Sequence, residues 1–287
     1  MIVDCHVNIY EERHVRAGMR EYLEKKKRMR PGPYGTKADA DTIYNAMAAA
    51  DKAILFTLRY GDSTGVEGDD EVTAAAVTKH PDKFVGFAYV DPRRADAMDL
   101  LRHAIEDLGL RGVKYGPIYN GVPLDDPRLT PIYEYLVKND LPLTLHMGTT
   151  YTRPWPVDLG RPIHVEPLAH RYPELKIIMA HMGHPWYEEC VVIIRRQPNV
   201  YAEVSALFYR PWQYYNILIT AQEYMVTDKM FFGTDFPVTT VEDSLEGLRT
   251  VNRVVEGTSL PKVSKEIIDQ IIFSNPFEHW WHGRAPA

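Results

Sequence analysis

Cysteine is scarce in this sequence, and long apolar runs are missing from it. Two cysteines, Cys5 and Cys190, occur in 287 residues. They are too few for the disulfide framework of a small secreted domain, and they suit a reducing compartment. No segment approaches the roughly 20 apolar residues of a membrane span. Asp4 and His6 interrupt the first apolar residues, so a secretory leader is not expected. These absences predict a cytoplasmic protein with no membrane partner.

The sequence also lacks an excess of basic residues. Its 33 Lys and Arg are outnumbered by 39 Asp and Glu, for a formal net charge of −6. The dense basic run at residues 25–30 fits a solvated helix face better than a polyphosphate site. We therefore expect no nucleic-acid partner. Hydrophobic residues make up 45% of the chain and charged residues 25%, which is enough apolar material for a sizeable core and excludes intrinsic disorder.

Short apolar runs alternate with segments of helical spacing along the chain. The runs are rich in β-branched and aromatic residues, which is typical of strands buried on both faces. They are Ile2–Cys5, Ala53–Leu58, Phe84–Val90, Gly112–Tyr115, Leu141–Leu145, Ile177–Ala180, Val200–Val204 and Met230–Phe232. The helical segments are Thr42–Asp51, Asp69–His80, Arg94–Leu108, Pro127–Asn139, Pro162–Tyr172, Pro185–Gln197, Pro211–Met225 and Val241–Glu256.

This alternation predicts parallel strands joined by right-handed crossovers. Eight such units close into a (β/α)8 barrel, and we expect residues 1–287 to form one α/β domain of this kind. An open doubly wound sheet is the alternative, but no Gly-rich phosphate loop follows a predicted strand. Residues 11–35 are too many for an ordinary loop and are expected to form a helical insertion after strand one. Ser264–Ile272 is predicted as an additional C-terminal helix.

Polar side chains follow several of the predicted strands. His6 follows strand one, His146 strand five, His181 strand six and Asp235 strand eight. In a barrel of this kind, chemistry occurs where the strands end. Three imidazoles and a carboxylate at one mouth can bind a divalent ion such as zinc and leave one position open for water. The ion would lower the pKa of that water towards about 7, and Asp235 could take up its proton and return it to the leaving group.

Two further residues at strand ends leave alternatives open. Lys114, in strand four, is interpreted as a substrate anchor, as a bridging metal ligand after modification, or as an ion-pair partner of Asp235. His184 lies just before a helix, so it either belongs to the site or caps that helix. A single buried histidine is more often a hydrogen-bonded core residue than a ligand. The set at successive strand ends is what favours a site.

Aromatic and guanidinium side chains are frequent in the predicted loops. Arg59 and Arg210 directly follow strands two and seven, and Tyr115 and Trp155 are among the aromatic candidates for substrate binding. Aromatic faces beside guanidinium groups suit a planar anionic ring compound, because arginine grips a carboxylate through two hydrogen bonds. Packing of the loops is the alternative for each residue. We therefore expect a small anionic substrate.

The polar motifs recur in a fixed order along almost the whole chain. They are Asp4-Cys5-His6-Val7-Asn8, Gly112-Val113-Lys114, Leu145-His146-Met147-Gly148, Ala180-His181-Met182-Gly183, Phe232-Gly233-Thr234-Asp235-Phe236-Pro237 and Ile271-Ile272-Phe273-Ser274-Asn275-Pro276. This set resembles the amidohydrolase superfamily, in particular the branch with aminocarboxymuconate-semialdehyde, resorcylate and carboxyvanillate decarboxylases. The resemblance implies a (β/α)8 barrel with one divalent ion, most often zinc or manganese. It also implies that His6, His146 and Asp235 are ligands, and that His181 binds the ion or polarises the substrate.

One position departs from the pattern of that family. Relatives commonly carry His-x-His on strand one, and here the second histidine is replaced by Asn8. An amide oxygen is a harder and weaker ligand than imidazole, so Asn8 as a ligand would shift the preference towards manganese or magnesium. Some relatives use a carboxylate in this pair, and one similar lactonase subgroup works without metal.

Two reactions are compatible with these residues. The first is hydrolysis of an ester, lactone, amide or C–C bond in a small aromatic or cyclic carboxylate, with Asp235 as general base and His181 holding the oxyanion. The second is non-oxidative decarboxylation of an aromatic or muconate-type carboxylate, with Asp235 or His181 protonating carbon. Hydrolysis ranks first because it is the majority chemistry of the superfamily, and an inactive metal-binding homologue ranks third. Trp280 and Trp281 point either to a homo-oligomer interface or to a tail packed on its own barrel.

Overall fold

Eight strands form the centre of the fold. The protein is described by a computed structural model over residues 1–29, 37–60 and 63–280. The strands are β1 Val3–Ile9, β2 Lys52–Thr57, β3 Phe84–Tyr89, β4 Val113–Tyr115, β5 Leu143–Leu145, β6 Ile177–Met179, β7 Val200–Glu203 and β8 Met230–Phe231. Each strand pairs in parallel with the next, in the order β1 to β8.

The first strand also pairs with the chain that follows the last. Cys5 N donates to Phe232 O at 3.0 Å, and Val7 forms a parallel bridge with Phe236. These contacts close the sheet on itself and give a barrel with the helices between its strands. The prediction of a (β/α)8 barrel is confirmed, and the open doubly wound alternative is wrong.

Helices connect the strands and pack around them. They are α1 Ala17–Met29, α2 Ala40–Ala46, α3 Asp70–Lys79, α4 Ala97–Arg102, α5 Pro117–Asn120, α6 Thr130–Lys138, α7 Val165–Arg171, α8 Tyr187–Arg196, α9 Pro211–Glu223, α10 Val241–Arg249, α11 Lys265–Phe273 and α12 Pro276–Trp280. Asp39, Asp69, Thr240 and Ser264 cap α2, α3, α10 and α11 by accepting a backbone N–H of the first turn, as expected of such side chains. None of the described helices is both long and apolar enough to cross a lipid bilayer.

The two predicted additions to the barrel are present. After β1 the chain forms a 3-10 turn and then α1, so the described part of the segment 11–35 is a helical insertion, and residues 30–36 lie outside the described part. The predicted C-terminal helix corresponds to α11. The short helices α5 and α12 were not predicted, because each has at most five residues, too few to show a helical period.

Strand β1 continues past its predicted end. Its register with β2 shifts between Asp4 and Val7. Cys5, inside this interval, packs in the barrel interior, and yet the next residue, His6, lines an interior cavity together with Asn8. Because side chains alternate between the two faces of a strand, an irregularity of this kind exchanges the set that faces inward. The two polar residues therefore lie within the strand and point into the barrel.

The opposite end of the barrel interior is filled by apolar side chains. Trp280 of α12 is fully buried there, with its ring centroid 5.7 Å from that of Phe231 and 6.1 Å from that of Phe87. The tryptophan packs on its own barrel, so the interpretation of Trp280 as an oligomer contact is wrong. Trp281 lies outside the described residues.

Candidate active site and metal centre

Three side chains with metal-binding atoms meet at the carboxyl end of the barrel. His6 comes from within β1, His181 from the turn after β6 and Asp235 from the turn after β8. One potential ligand atom from each lies within 4.8 Å of the other two. His6 Nε2 is 3.3 Å from Asp235 Oδ1, and the rings of His6 and His181 are 4.8 Å apart between centroids. All three line a cavity of about 420 Å³.

Tight turns present two of these side chains. His181 and Asp235 have left-handed φ angles of 55° and 63°, a conformation that costs a residue with a side chain roughly 1–3 kcal/mol. Asp235 N donates to His6 O at 2.8 Å, which ties the second turn to β1. His181 lies in a 3-10 turn, Ala180–Gly183. The surrounding fold thus maintains local strain at the points from which the two side chains enter the cavity.

A buried carboxylate that the sequence analysis did not single out lies beneath the histidines. Glu203, the last residue of β7, is fully buried and accepts from His6 Nδ1 at 2.8 Å and from His181 N at 3.0 Å. Ser205, also missed, has its Oγ 2.7 Å from His181 Nδ1. Glu203 could have been found from the sequence, because it is an acidic residue in a strand predicted to be buried on both faces. A buried carboxylate requires hydrogen-bond partners, so its presence there indicates a polar network.

His146 lies beside this group and outside it. It is 6% exposed, and its ring centroid is 5.0 Å from that of His181. Its Nδ1 is 3.5 Å from Tyr119 Oη. The buried Nε2 has no hydrogen-bond partner among the residues that the structure describes. Because an unsatisfied buried nitrogen costs roughly 1–3 kcal/mol, a ligand or an ion at this point would stabilise it.

Burial sets the protonation of the site. It is the main cause that lowers the pKa values of His6, His146 and His181 well below the ordinary value of 6.5, so the three imidazoles are neutral. Burial also raises the pKa of Asp235 to about 7, while a hydrogen bond from Asn8 acts in the opposite direction. Neutral imidazole is the form that binds metal, and a carboxyl group that titrates near neutrality can both accept and return a proton.

The donor set fits one divalent cation. His6 Nδ1 is engaged by Glu203, so its Nε2 presents a lone pair to the cavity at 3.3 Å from Asp235 Oδ1. These two acceptors lie close together, His181 is beside them, and the unpartnered Nε2 of His146 is nearby. A cation between them would stabilise this group. Imidazole nitrogen and carboxylate oxygen are the usual ligands of zinc outside thiolate sites, and they also suit manganese.

The amide of Asn8 is oriented differently from the expected ligand. Its Nδ2 donates to Asp235 Oδ1 at 2.9 Å and to Phe236 O at 2.9 Å. The nitrogen of this side chain, not the oxygen, therefore contacts the acidic member of the group. In this orientation Asn8 holds the carboxylate in place, which corrects the expectation of an amide oxygen directed at an ion.

Lys114 is buried in the same cavity. It is 1% exposed, with its Nζ 3.5 Å from His6 Nε2 and 4.5 Å from the ring centroid of Phe56. Burial lowers the pKa of the ammonium group to about 8, and the charges of Glu203 and Asp235 act to raise it. The lysine therefore supplies positive charge next to the two carboxylates, within reach of a negatively charged oxygen in the cavity.

Arg210 and His184 line the outer part of the cavity, where both are half-buried. Arg210 Nη1 donates to Ala206 O at 2.9 Å, and the guanidinium carbon lies 4.4 Å from the ring centroid of Tyr209. Burial, with a contribution from Arg210, lowers the pKa of His184 to about 4. A guanidinium group stacked on an aromatic face suits recognition of a carboxylate.

Three predicted substrate-binding residues do not belong to the lining that the described residues form. Arg59 Nε donates to Gly68 O at 3.0 Å within the loop after β2. Tyr115 is buried, and its hydroxyl donates to Val122 O at 2.6 Å. Trp155 is 39% exposed and its ring lies against Gly121. Sequence position placed all three near strand ends, but they contact loop residues that are not part of the described lining, so the expectation that they face the substrate is corrected.

Several solved structures share this fold at low sequence identity. An uncharacterised TIM-barrel protein from Bordetella bronchiseptica has a TM-score of 0.75 at 21% identity, with 99% of each chain covered. A probable 2-pyrone-4,6-dicarboxylic acid hydrolase from Acinetobacter baumannii, with citric acid bound, has a TM-score of 0.68 at 15% identity and coverage of 98% and 99%. A dihydroxybenzoic acid decarboxylase from Polaromonas, with bound manganese and the inhibitor 2-nitroresorcinol, has a TM-score of 0.66 at 19% identity and coverage of 99% and 98%.

Sequence similarity identifies the family directly. The chain is 30% identical over 128 residues to the 2-amino-3-carboxymuconate-6-semialdehyde decarboxylase of Dictyostelium discoideum, a match that covers 38% of this chain and 35% of that protein. This chain therefore aligns with about a third of the length of that relative. The sequence profile described as Amidohydrolase matches residues 3–276. Because that match spans nearly the whole chain and every motif at the strand ends, the protein belongs to the amidohydrolase family.

Proposed function

We propose that this protein is a metal-dependent hydrolase that acts on a small aromatic or cyclic carboxylate. The observation that carries the proposal is the convergence of His6, His181 and Asp235 in a cavity whose outer wall carries Arg210. A carboxyl group that titrates near neutrality stands beside neutral nitrogen donors, and a cation lies further out for the carboxylate of the substrate. The ester, lactone, amide or C–C bond to be cleaved would lie between these two regions.

One divalent ion is part of this proposal. His6, His181 and Asp235 would hold it, with His146 alongside. Zinc is the first choice because two imidazoles and a carboxylate are typical of its catalytic sites. Manganese, which the Polaromonas decarboxylase contains, and magnesium are the alternatives. When bound, such an ion lowers the pKa of water and polarises a substrate oxygen.

The residues of the chain divide the remaining work. Asp235, oriented by Asn8, accepts a proton as general base and returns it to the leaving group. The ammonium group of Lys114 stabilises negative charge that develops on a substrate oxygen. Arg210, with His184 beside it, binds the carboxylate that does not react. Tyrosine and aliphatic side chains, with a few threonines, line the remaining cavity wall, and its apolar part excludes water from around the ring.

Non-oxidative decarboxylation is the second candidate function, and the similarity to the Dictyostelium decarboxylase favours it. In this reaction the carboxylate that is lost would lie at the donor group, and Asp235 or His181 would protonate the carbon that carried it. The same cavity and the same cation serve both reactions. The proposals therefore differ in which end of the substrate contacts His6, His181 and Asp235.

The test uses the full chain, purified without chelator. Metal content is measured by elemental analysis before and after dialysis against a chelator, and again after zinc or manganese is restored. Carboxylated aryl lactones and esters are assayed for addition of water, and dihydroxybenzoates for release of carbon dioxide. Asp235→Asn should reduce metal retention and lower the rate roughly a hundredfold or more, whereas the exposed Asp82 provides a matched control, Asp82→Asn, that should change neither.

The outcomes separate the candidate functions. Cleavage of a lactone or ester without release of carbon dioxide supports the hydrolase. Release of carbon dioxide with the ring retained, and no hydrolysis, overturns the hydrolase proposal and supports the decarboxylase. A metal-loaded protein with neither reaction, and with no change in Asp235→Asn other than lost metal, favours the inactive homologue and overturns both.

We also propose a cytoplasmic location, a single domain and a homo-oligomer. Cys5 and Cys190 are free and buried, which supports a reducing compartment. The family profile covers residues 3–276 as one stretch, which supports one domain. Exposed aromatic residues, among them Tyr151 in a loop and Trp212 at the start of α9, support association between copies, and sedimentation of the purified protein would test it.

A further inference from the structure

The carboxylate of Glu203 is the centre of a buried hydrogen-bond network below the cavity. Its Oε1 accepts from His6 Nδ1 at 2.8 Å, from His181 N at 3.0 Å and from Ser205 Oγ at 3.0 Å. Its Oε2 accepts from Ser205 N at 2.6 Å. Glu203 and Ser205 are both fully buried. Four donors that converge on one side chain identify it as an acceptor.

This acceptor determines where His6 carries its hydrogen. A neutral imidazole has one N–H, and at 2.8 Å from Glu203 Oε1 that hydrogen lies on Nδ1. His6 Nε2 then presents a lone pair, which the ammonium group of Lys114 faces at 3.5 Å. Asp235 Oδ1 also lies 3.3 Å from Nε2, but the contact of Nδ1 with Glu203 Oε1 is shorter. Because Nε2 also faces an ammonium group, which can only donate, the hydrogen is assigned to Nδ1.

Ser205 extends the same constraint to His181. The hydroxyl has one hydrogen and lies between Glu203 Oε1, at 3.0 Å, and His181 Nδ1, at 2.7 Å. If the hydroxyl donated to the ring, two oxygen acceptors would face each other without a hydrogen between them. If it donates to the carboxylate, His181 Nδ1 must donate to it. The carbonyl oxygen of Ser205, which can only accept, also faces Nδ1, at 3.3 Å, and it favours the same tautomer.

We propose that Glu203 and Ser205 are positioning residues that fix the Nδ1–H tautomer of both His6 and His181, directly for the first ring and through the serine hydroxyl for the second. Both Nε2 atoms then face the cavity as acceptors or metal ligands. Neutral His181 then has no hydrogen to give from Nε2, which favours Asp235 over His181 as the group that carries the proton in either candidate reaction. This last step depends on the proposed function, whereas the tautomers do not.

The direct test is nitrogen-detected NMR of the histidine rings in the metal-free full chain, with peaks assigned by His6→Gln and His181→Gln. Long-range ¹⁵N–¹H couplings report which ring nitrogen carries the hydrogen. We expect Nδ1–H for both residues. The couplings themselves are measured on the wild-type protein, and a His181 ring protonated at Nε2 overturns the proposal.

Ser205→Ala then tests the relay. It removes the hydroxyl contact at 2.7 Å and keeps only the longer backbone carbonyl contact at 3.3 Å. The Nε2–H form of His181 should therefore become populated beside the Nδ1–H form, while His6 stays unchanged. The zinc affinity of the variant in a chelator competition should fall roughly 10- to 100-fold. Ser244→Ala, at a buried serine bonded to Thr239, is the matched control and should change none of these. An unaltered His181 tautomer in Ser205→Ala overturns the role of the serine. If the wild-type protein binds no zinc, the metal part of the proposed function fails while the tautomer result stands.

Discussion

Asp70 offers a quantitative test of the electrostatics of this fold. Asp70 is the first residue of α3 and 5% exposed, and its Oδ1 accepts from Tyr89 N at 2.9 Å. Burial raises the pKa of the carboxyl group to about 6, although the Tyr89 hydrogen bond and the charge of Arg59 lower it. Asparagine keeps an acceptor oxygen for Tyr89 and cannot ionise. We therefore predict that Asp70→Asn stabilises the protein at neutral pH and has little effect in acid.

The sign and the size follow from proton linkage. The folded protein holds the Asp70 proton more tightly than the unfolded chain, in which the pKa is the ordinary 3.8. The stability gained from the neutral carboxyl is therefore complete below that value and is lost as pH rises through about 6. The difference between the two pKa values corresponds to roughly 3 kcal/mol. Above about pH 6 the ionised Asp70 costs the folded protein this amount, and the variant avoids it.

The assay is urea denaturation followed by tryptophan fluorescence, at several pH values between about 4 and 8. The free energy of unfolding of Asp70→Asn should match that of the wild-type protein at the acid end. It should exceed the wild-type value by roughly 3 kcal/mol at the neutral end. Asp82→Asn, at an exposed position, should show no such trend. A difference between Asp70→Asn and the wild-type protein that stays constant with pH would refute the reasoning.

Three other substitutions, one of them with a matched control, test the fold and the cavity. Trp280→Ala should lower the free energy of unfolding by about 3–5 kcal/mol in urea denaturation, because it empties a fully buried position. Arg210→Ala should raise KM for a carboxylate substrate roughly tenfold or more, while Arg59→Ala, which alters a loop contact, should leave KM nearly unchanged in the same steady-state assay. Gly148→Ala should lower the free energy of unfolding by roughly 3 kcal/mol and reduce metal retention. The reason is that a Cβ at this position would lie 2.4 Å from His184 O and that the backbone has a φ of +108°. A variant with the stability and the metal content of the wild-type protein would contradict this.

The barrel can be predicted from the sequence because alternating strands and helices imply a parallel sheet, and eight such units can close into a barrel. Parallel strands that follow one another in a closed sheet end at one rim, so residues at strand ends must share a neighbourhood whatever their separation along the chain. His6, His181 and Asp235 meet for this reason. The prediction needs only the position of each strand end, which apolar runs locate within a few residues.

What the sequence does not reveal is the direction in which side chains point. The register shift in β1 turns His6 and Asn8 inward, and no local pattern announces a shift of this kind. The amide of Asn8 faces Asp235 only because a distant turn brings the carboxylate to it. Arg59 follows a strand as Arg210 does, yet Arg210 lines the cavity and Arg59 is not among the described residues that line it. These outcomes depend on contacts between segments that are far apart or on loop conformation, and periodicity carries no information about either.

The position of the positive charges bears on which of the two reactions this cavity serves. A hydrolase keeps the carboxylate of its substrate, so a cation away from the reacting bond, such as Arg210 in the outer cavity, improves binding throughout the reaction. A decarboxylase loses the carboxylate at the reacting carbon, and a cation is useful there only if it does not hold the carboxylate more tightly than the transition state. Lys114, buried beside His6, lies at the reacting end in both cases. The guanidinium group of Arg210 is therefore the feature of this chain that favours a substrate with a carboxylate that is retained. This holds whether the group that reacts is a lactone or a second carboxylate.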